Sequence, residues 1–145
     1  MNRKHSLLSD TEEKLLMRCD LGRICTIDRD GYPHCVRVDY VYDKGTILVG
    51  SQVSRKWHSH LSNNPKVAFE VDIYEKTESG VIDFRGLMVK GRAFLVEDAT
   101  GRKEATALLK AKHPGAPFGD YPIIVRVVPA KRVRWGPWEK LNGSQ

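Results

Sequence analysis

The amino-acid sequence predicts a mainly β protein: an antiparallel barrel of six to seven strands with short α-helices packed outside it. Short strand-like runs follow one another along the 145-residue chain, and tight turns join most of them. A doubly wound parallel sheet would need a helix between most strands, and the sequence does not supply those helices. We therefore predict one domain over residues 1–145, with its core at about 7–135.

The first elements are a helix and a hairpin. Ser9-Asp-Thr-Glu12 has the pattern of a capping box that starts a short helix, and Gly22 is predicted to end it. The apolar face of this helix comprises Leu15, Leu16 and Cys19. Residues 23–27 are predicted to form a strand, and Asp28-Arg-Asp-Gly31 is typical of a hairpin turn.

The next strand, over residues 34–42, shows a clean alternation. One face carries Val36, Val38, Tyr40 and Tyr42, and the other carries Cys35, Arg37, Asp39 and Val41. A turn at Asp43-Lys-Gly45 leads into a strand over Thr46–Ser51. A short helix is predicted over 54–63, because Ser54 can cap it and Asn64-Pro65 stops it.

The second half continues the alternation of strands and turns. Residues 66–73 form a predicted strand, and the long run 81–97 is expected to bend or bulge at Gly86 and Gly91. Ala99–Lys112 is predicted to be a helix that buries Ala105, Leu108 and Leu109. The last strand covers 123–128 and continues at 133–135 beyond Pro129, and the tail 139–145 is predicted to be flexible.

Composition narrows the classes of function. Hydrophobic residues make up 41% and charged residues 29% of the chain, as in globular proteins, and no apolar run approaches the length of about 18 residues needed to cross a bilayer. A cytoplasmic protein without a membrane partner is therefore expected. The net charge of +6 favours anionic partners. Because the basic residues occur in small separate clusters, a local phosphate site is favoured over a nucleic-acid track.

Few other motifs carry chemistry. Cys19, Cys25 and Cys35 form no CxxC pair and are predicted to be reduced core thiols. His58 and His60 point to different faces of the predicted helix, so no metal site is expected. The sequence contains no nucleophile elbow and no Walker loop.

The strongest local signal is Ser54-Arg55-Lys56, which follows the end of a predicted strand. A cap hydroxyl and free amides at a helix start favour an anion. Two cations at this end of a helix oppose its dipole unless a phosphate or carboxylate binds between them. An anion site and a solvated basic turn both explain the pattern.

The order of several motifs resembles that of the pyridoxamine 5′-phosphate oxidase-like family of FMN-binding split barrels. These motifs are Gly31-Tyr-Pro-His34, Ser54-Arg-Lys56, Leu61-Ser-Asn-Asn-Pro-Lys-Val67 and Met88-Val-Lys-Gly-Arg-Ala93. The resemblance covers roughly residues 7–135 and implies a split barrel that binds FMN between the two chains of a homodimer.

The resemblance also implies roles for individual residues. Arg55 and Lys56, with Ser54 beside them, match positions that hold the flavin phosphate, and Ser51 and Gln52 match contacts to the ribityl chain and phosphate. The backbone along the flavin ring corresponds to Val36, Arg37, Val38 and Asp39. Arg85 matches a region that reaches the flavin, and Trp135 is expected near the partner's cofactor.

One departure from the family concerns the substrate. Pyridoxamine phosphate oxidases end in an Arg-Leu-His type segment, whereas this chain ends in Val133-Arg-Trp-Gly-Pro-Trp138, so oxidation of vitamin B6 is not expected. A flavin-dependent oxidoreductase acting on another small molecule is the favoured interpretation. A deazaflavin coenzyme on the same fold, or a flavin-binding or nucleic-acid-binding module without turnover, remains an alternative, and no histidine pattern favours haem.

Overall fold

The order of helices and strands in the computed structural model, which describes residues 7–116 and 120–139, agrees with a barrel. The elements are α1 (Asp10–Arg18), β1 (Leu21–Ile27), β2 (Pro33–Asp43), β3 (Thr46–Ser51), a 3₁₀ helix (Lys56–Ser62), β4 (Lys66–Asp72), β5 (Glu75–Lys76), β6 (Ile82–Asp83), β7 (Gly86–Leu95), α2 (Ala99–Lys112) and β8 (Ile123–Trp135). Six strands close an antiparallel barrel in the order β1-β2-β3-β8-β7-β4, and β5 pairs with β6 separately. The predicted fold class is confirmed.

Tight turns set the register of the first three strands. Gly31 adopts a φ of +87° in the turn between β1 and β2, and Gly45 adopts +83° between β2 and β3. A side chain at either position would be strained, which explains why glycine occurs there. The hairpins then pair Cys25 with Cys35 and Asp39 with Gly50.

The longest ladder joins β7 to β8 and contains the predicted bulge. The register shifts between Lys90 and Gly91, and a Cβ on Gly91 would lie 2.0 Å from the carbonyl oxygen of Val128. Pro129 sits opposite Gly91 in this irregular stretch. Because a bulge interrupts the ladder, β8 tolerates a residue that has no amide hydrogen and continues to Trp135.

Two helical elements close the ends of the barrel. At one end, which we call the α1 end, Leu15 and Leu16 of α1 are buried in the main core. At the other end, which we call the 3₁₀ end, Trp57 and Leu61 of the 3₁₀ helix enter the same core. Helix α2 instead covers the outside of the barrel, where Leu109 packs with Leu48 and Ile124.

Some local predictions were wrong. Helix α1 ends at Arg18, and Gly22 lies within β1, where an added Cβ would be 2.2 Å from the ring of Phe69. Leu108 is exposed, and Thr106 is buried on α2 in its place. Of the three predicted core thiols only Cys19 is buried, because Cys35 is exposed and Cys25 is half-buried.

Within the described part of the chain, no helix has both the length and the apolar character needed to span a bilayer. The tail predicted over 139–145 lies outside the described residues from position 140 onward.

Candidate functional site

The predicted anion-binding segment Ser54-Arg55-Lys56, which we call the phosphate segment, lies shortly after β3, where this strand leaves β2. The chain turns there, and the Arg55 amide donates a hydrogen bond to the Gln52 carbonyl oxygen at 3.0 Å. This turn places Ser54 two residues before the first helical residue, Lys56, so Ser54 cannot cap the helix. The helix is moreover a short 3₁₀ helix without a side-chain cap, so the prediction of a capped α-helix was wrong.

The two cations of this segment nevertheless have uncompensated charge. The side chains of Arg55 and Lys56 are exposed, and neither forms an ion pair with a residue in the described ranges. Two adjacent unpaired cations favour a phosphate, which supplies several acceptor oxygens. The attraction for an anion therefore comes from side-chain charge and not from a helix dipole.

Strand β2 has an open edge beside this segment. Its residues 33–38 pair with β1, but its pairing with β3 begins only at Asp39, opposite Gly50. On a strand between two neighbours, successive backbone groups point alternately to one side and the other. Since Asp39 bonds toward β3, the amide and carbonyl of Arg37 also point to that side, where none of the described strands pairs with them.

Strand β3 ends in small residues under an aromatic ring. An added Cβ on Gly50 would lie 2.5 Å from Cδ1 of Tyr121, so the tyrosine ring rests directly on the backbone. The Tyr121 hydroxyl donates a hydrogen bond to Oδ2 of Asp39 at 2.7 Å. Burial and this neighbouring carboxylate raise the pKa of Tyr121. Asp39 is therefore held against the wall of the barrel.

Ser51 and Gln52 lie at the same corner. Ser51 is buried, and its hydroxyl donates to the Gln52 carbonyl oxygen at 3.4 Å. The side chain of Gln52 is partly exposed. Gly50, just before Ser51, pairs with Asp39 of β2, and at the end of the 3₁₀ helix the His60 ring centroid lies 5.1 Å from that of His34 near the start of β2. The chain between these two contacts, which includes Gln52, Arg55 and Lys56, therefore runs beside the open edge of β2.

The side chain of Arg37 lines a different surface from that of the phosphate segment. It borders an open polar cavity of about 420 Å³ on the outside of the barrel, together with Arg18, Asp20, Arg23, Asp72 and Glu75. Only the backbone of Arg37 faces the open edge. Val36 and Val38 turn their side chains toward the barrel interior and pack against the core.

Arg85 and Trp135 lie at the α1 end, away from the phosphate segment. Arg85 is buried and donates two hydrogen bonds to Asp83, at 3.0 and 3.2 Å. Its guanidinium also stacks over Trp138, at 5.2 Å from the ring centroid. These contacts occupy Arg85 in the structure of a single chain.

Trp135 covers a glycine at this α1 end. An added Cβ on Gly86 would lie 2.1 Å from the Trp135 indole, and the tryptophan is still 40% exposed. Ile123, beside Ser51, and Trp135 are the two ends of β8. One chain therefore cannot bring Trp135 to the phosphate segment.

Tyr121 is the site residue that the sequence reasoning missed. It precedes β8 without a motif around it, and its partners Asp39 and Gly50 belong to distant parts of the sequence. The one available signal was Gly50 within an otherwise apolar strand, since a strand glycine often marks the close approach of another group.

Comparisons with known proteins agree with this architecture. A family model described as pyridoxamine 5′-phosphate oxidase matches residues 8–133. No protein of curated function matches the chain at a significant level.

Solved structures give the same fold. A conserved hypothetical protein of Mycobacterium tuberculosis is similar with a TM-score of 0.75 at 21% identity, over 98% of this chain and 92% of that one. An FAD-binding protein of Mesorhizobium loti has a TM-score of 0.67 at 22% identity, over 88% and 94%. The FAD-binding protein of Mycobacterium smegmatis has a TM-score of 0.63 at 27% identity, over 91% and 99%.

The family model spans all six barrel strands up to the last residues of β8 and includes the phosphate segment and the open edge of β2. The chain belongs to the pyridoxamine 5′-phosphate oxidase family.

Proposed function

We propose that this protein is an FMN-dependent oxidoreductase that binds the flavin at the open edge of β2. The observation that carries the proposal is the meeting of that edge with Arg55 and Lys56, whose charges no described residue compensates. A flavin mononucleotide combines a dianionic phosphate with a flat ring that bears hydrogen-bonding atoms on its rim. The two halves of this site match the two halves of that molecule.

Each residue has a distinct part in holding the cofactor. Arg55 and Lys56 would bind the phosphate, because paired cations satisfy several of its oxygens. Ser51 and Gln52 lie between this segment and β2, where the ribityl hydroxyls need partners. The free amide and carbonyl of Arg37 would bond to the ring, and Asp39 is fixed nearby by Tyr121.

The flavin, when bound, supplies the hydride and electron transfer. The protein orients it, and the rigid barrel wall shields one side of the site from water. The substrate is inferred not to be pyridoxamine phosphate. Arg134, in the segment that replaces the vitamin-holding one, and Arg132 just before it both bind the buried carboxylate of Glu12, at 3.3 and 2.7 Å.

FAD is a second candidate cofactor. Two similar solved structures are FAD-binding proteins, and the one from Mycobacterium smegmatis has the higher identity to this chain, 27%. FAD and a deazaflavin coenzyme also carry phosphate, so Arg55 and Lys56 suit all three. FMN is the cofactor we propose, and a titration with all three molecules distinguishes it from FAD and deazaflavin.

A homodimer is part of the proposal. The outward face of β7 and β8 exposes Val133 and Trp135 next to each other on the sheet, at 44% and 40% exposure. Isolated apolar residues are ordinary on a surface, but neighbouring ones on one face of a strand favour a protein partner. A second copy would also let Trp135 reach a flavin bound to the other chain.

The test is a titration of the purified protein with FMN, FAD and a deazaflavin coenzyme in separate experiments. Cofactor fluorescence and absorbance measure the binding. We expect FMN to bind and Arg55→Ala/Lys56→Ala to weaken its binding by at least about 100-fold, because two hydrogen bonds to charged groups, at about 1.5–3 kcal/mol each, contribute about 3 kcal/mol or more together. Far-UV circular dichroism should stay unchanged, since both side chains are exposed.

Arg102→Ala/Lys103→Ala is the matched control, because it removes the same two charges from α2. It should leave flavin binding unchanged. Equal loss in both variants would show only a general effect of net charge and would overturn the assigned site. Tighter binding of FAD or deazaflavin than of FMN would change the cofactor but keep the phosphate segment.

A further inference from the structure

Two cysteines face each other on the outside of the barrel. Cys25 of β1 and Cys35 of β2 are direct partners in the antiparallel register. Ile24 and Val36, next to them along the chain, pack in the barrel core. Since side chains alternate along a strand, both thiols point to the outer face, side by side.

The hydrogen-bond pattern shows which kind of pair they form. The Asp28 amide donates to the Tyr32 carbonyl oxygen at 2.9 Å, which makes 28 and 32 a hydrogen-bonded pair. Hydrogen-bonded and non-hydrogen-bonded pairs alternate along an antiparallel hairpin. Cys25 and Cys35 are three pairs away from 28 and 32, so they form a non-hydrogen-bonded pair. In such pairs the Cα atoms lie about 4.5 Å apart, at the short end of the range that a disulfide spans.

The two thiols differ in their surroundings. Cys35 is exposed, whereas Cys25 is half-buried between Cys35 and Ala68. Burial, together with a hydrogen bond to the Cys35 thiol, raises the pKa of Cys25 to about 12. Because the thiolate is the nucleophile, Cys35 is the thiol that an oxidant in solution meets first.

We propose that Cys25 and Cys35 form a reversible cross-strand disulfide when the protein meets a hydroperoxide, which makes the β1–β2 hairpin a thiol redox site. The site adjoins Arg37 and the open edge of β2 but does not depend on a bound flavin. The third cysteine takes no part, because Cys19 is buried near the α1 end.

The reaction balances with hydrogen peroxide as the oxidant. The Cys35 thiolate attacks one peroxide oxygen, the O–O bond breaks, and Cys35 becomes a sulfenic acid as hydroxide leaves and is protonated to water. The Cys25 sulfur then attacks the Cys35 sulfur, and the S–O bond breaks. The departing hydroxide takes the Cys25 proton, so two thiols and one peroxide yield one disulfide and two waters.

The chain offers a direct test, because trypsin separates all three cysteines. Cleavage after Arg18, Arg23, Arg29 and Arg37 places Cys19, Cys25 and Cys35 on the peptides 19–23, 24–29 and 30–37. The full-length protein is treated with hydrogen peroxide, its free thiols are alkylated, and the digest is analysed by mass spectrometry. We expect peptides 24–29 and 30–37 to be joined, and dithiothreitol to release them.

Variants assign the linkage. Cys35→Ser should abolish the joined peptides, and Cys19→Ser, as the matched control, should leave them unchanged. In Cys25→Ser, Cys35 should accumulate as sulfenic acid, detected with dimedone, because no second thiol is beside it.

Three results would overturn the proposal. In the first, peptides 24–29 and 30–37 are recovered separately with both thiols alkylated. In the second, Cys35 is converted to sulfinic acid while Cys25 stays a free thiol. In the third, peptide 30–37 is joined to a copy of itself. A non-reducing gel separates the last case, since an intramolecular bond leaves the protein at monomer size.

Discussion

The Tyr121 hydroxyl lies 2.7 Å from the Asp39 carboxylate, and this contact ties the start of β8 to the middle of β2. The tyrosine ring crosses β3 between them and rests on Gly50. One aromatic side chain thus fixes three strands at the corner where the phosphate segment begins. Its two contacts are separable by mutation.

Tyr121→Phe should cost about 1 kcal/mol in the free energy of unfolding, the usual contribution of one hydrogen bond, because the ring remains in place. Gly50→Ala should cost about 1–3 kcal/mol, since its new Cβ must displace the ring. Urea denaturation measures both. Tyr32→Phe is the control, because Tyr32 is exposed, and it should have no effect.

Tyr121→Ala tests whether the tyrosine ring causes the cost of Gly50→Ala. In that background the additional cost of Gly50→Ala should disappear, because no ring remains to collide with the new methyl group. Additive costs in the double variant would contradict the contact.

Glu70 should make the protein less stable as the pH rises. Burial, followed by the neighbouring Asp72, raises its pKa to about 7 from the ordinary 4.5, and these effects outweigh the hydrogen bond from Arg23 at 3.0 Å. A group whose pKa is raised by folding disfavours the folded state once it ionises. Its contribution is therefore fully present below pH 4.5 and is lost as the pH rises to about 7.

Urea midpoints measured across this range for the wild type and Glu70→Gln provide the comparison. The difference between the two should change with pH only between about 4.5 and 7. Glu104→Gln, an exposed acid on α2, should give a constant difference. A wild type that gains stability relative to Glu70→Gln as the pH rises would show that Arg23 dominates instead.

Glu12→Ala should destabilise the fold by about 2–4 kcal/mol, because Glu12 is fully buried and accepts hydrogen bonds from Arg132 and Arg134. It also completes the capping box by accepting from the Ser9 amide at 2.9 Å. Thermal unfolding followed by circular dichroism measures the loss. Glu104→Ala is the control, and an equal loss there would contradict the special role of Glu12.

Trp135→Ala should shift the protein from dimer to monomer, if the exposed face of β7 and β8 binds a second copy as proposed. Sedimentation velocity at several concentrations measures the change. Tyr74→Ala is the control, because it removes an aromatic side chain that is 77% exposed and lies outside β7 and β8. It should leave the association unchanged. A wild type that stays monomeric at every concentration would refute the dimer directly.

Local signals predicted most of the fold, and tertiary contacts explain what they missed. The capping box at Ser9 and the turn at Gly31 depend on neighbours within a few residues, so the sequence shows them. Gly22 fits a helix end by its residue type, yet its role depends on Phe69, a residue far along the chain.

In the candidate site, too, the sequence shows the features that depend on neighbouring residues and not those that depend on distant ones. Arg55 and Lys56 stand out because two adjacent cations form a local pattern, although the hydroxyl of Ser54 does not cap the helix as the pattern suggested. The clamp of Tyr121 on Asp39 joins residues separated by most of the chain, and no local pattern records it. The family resemblance implied that Arg85 lies near the flavin, but Asp83 and Trp138 engage its guanidinium.

Before Asp39, β2 pairs with β1 on one side and not with β3 on the other, and this affects amide hydrogen exchange. In the free protein, the amides of His34, Val36 and Val38 bond to β1 and should exchange slowly, whereas those of Cys35 and Arg37 point to the open side and should exchange rapidly. Fast and slow positions therefore alternate along a single strand. A ligand seated on this edge would slow the fast set alone, so the pattern of deuterium uptake locates the bound molecule residue by residue.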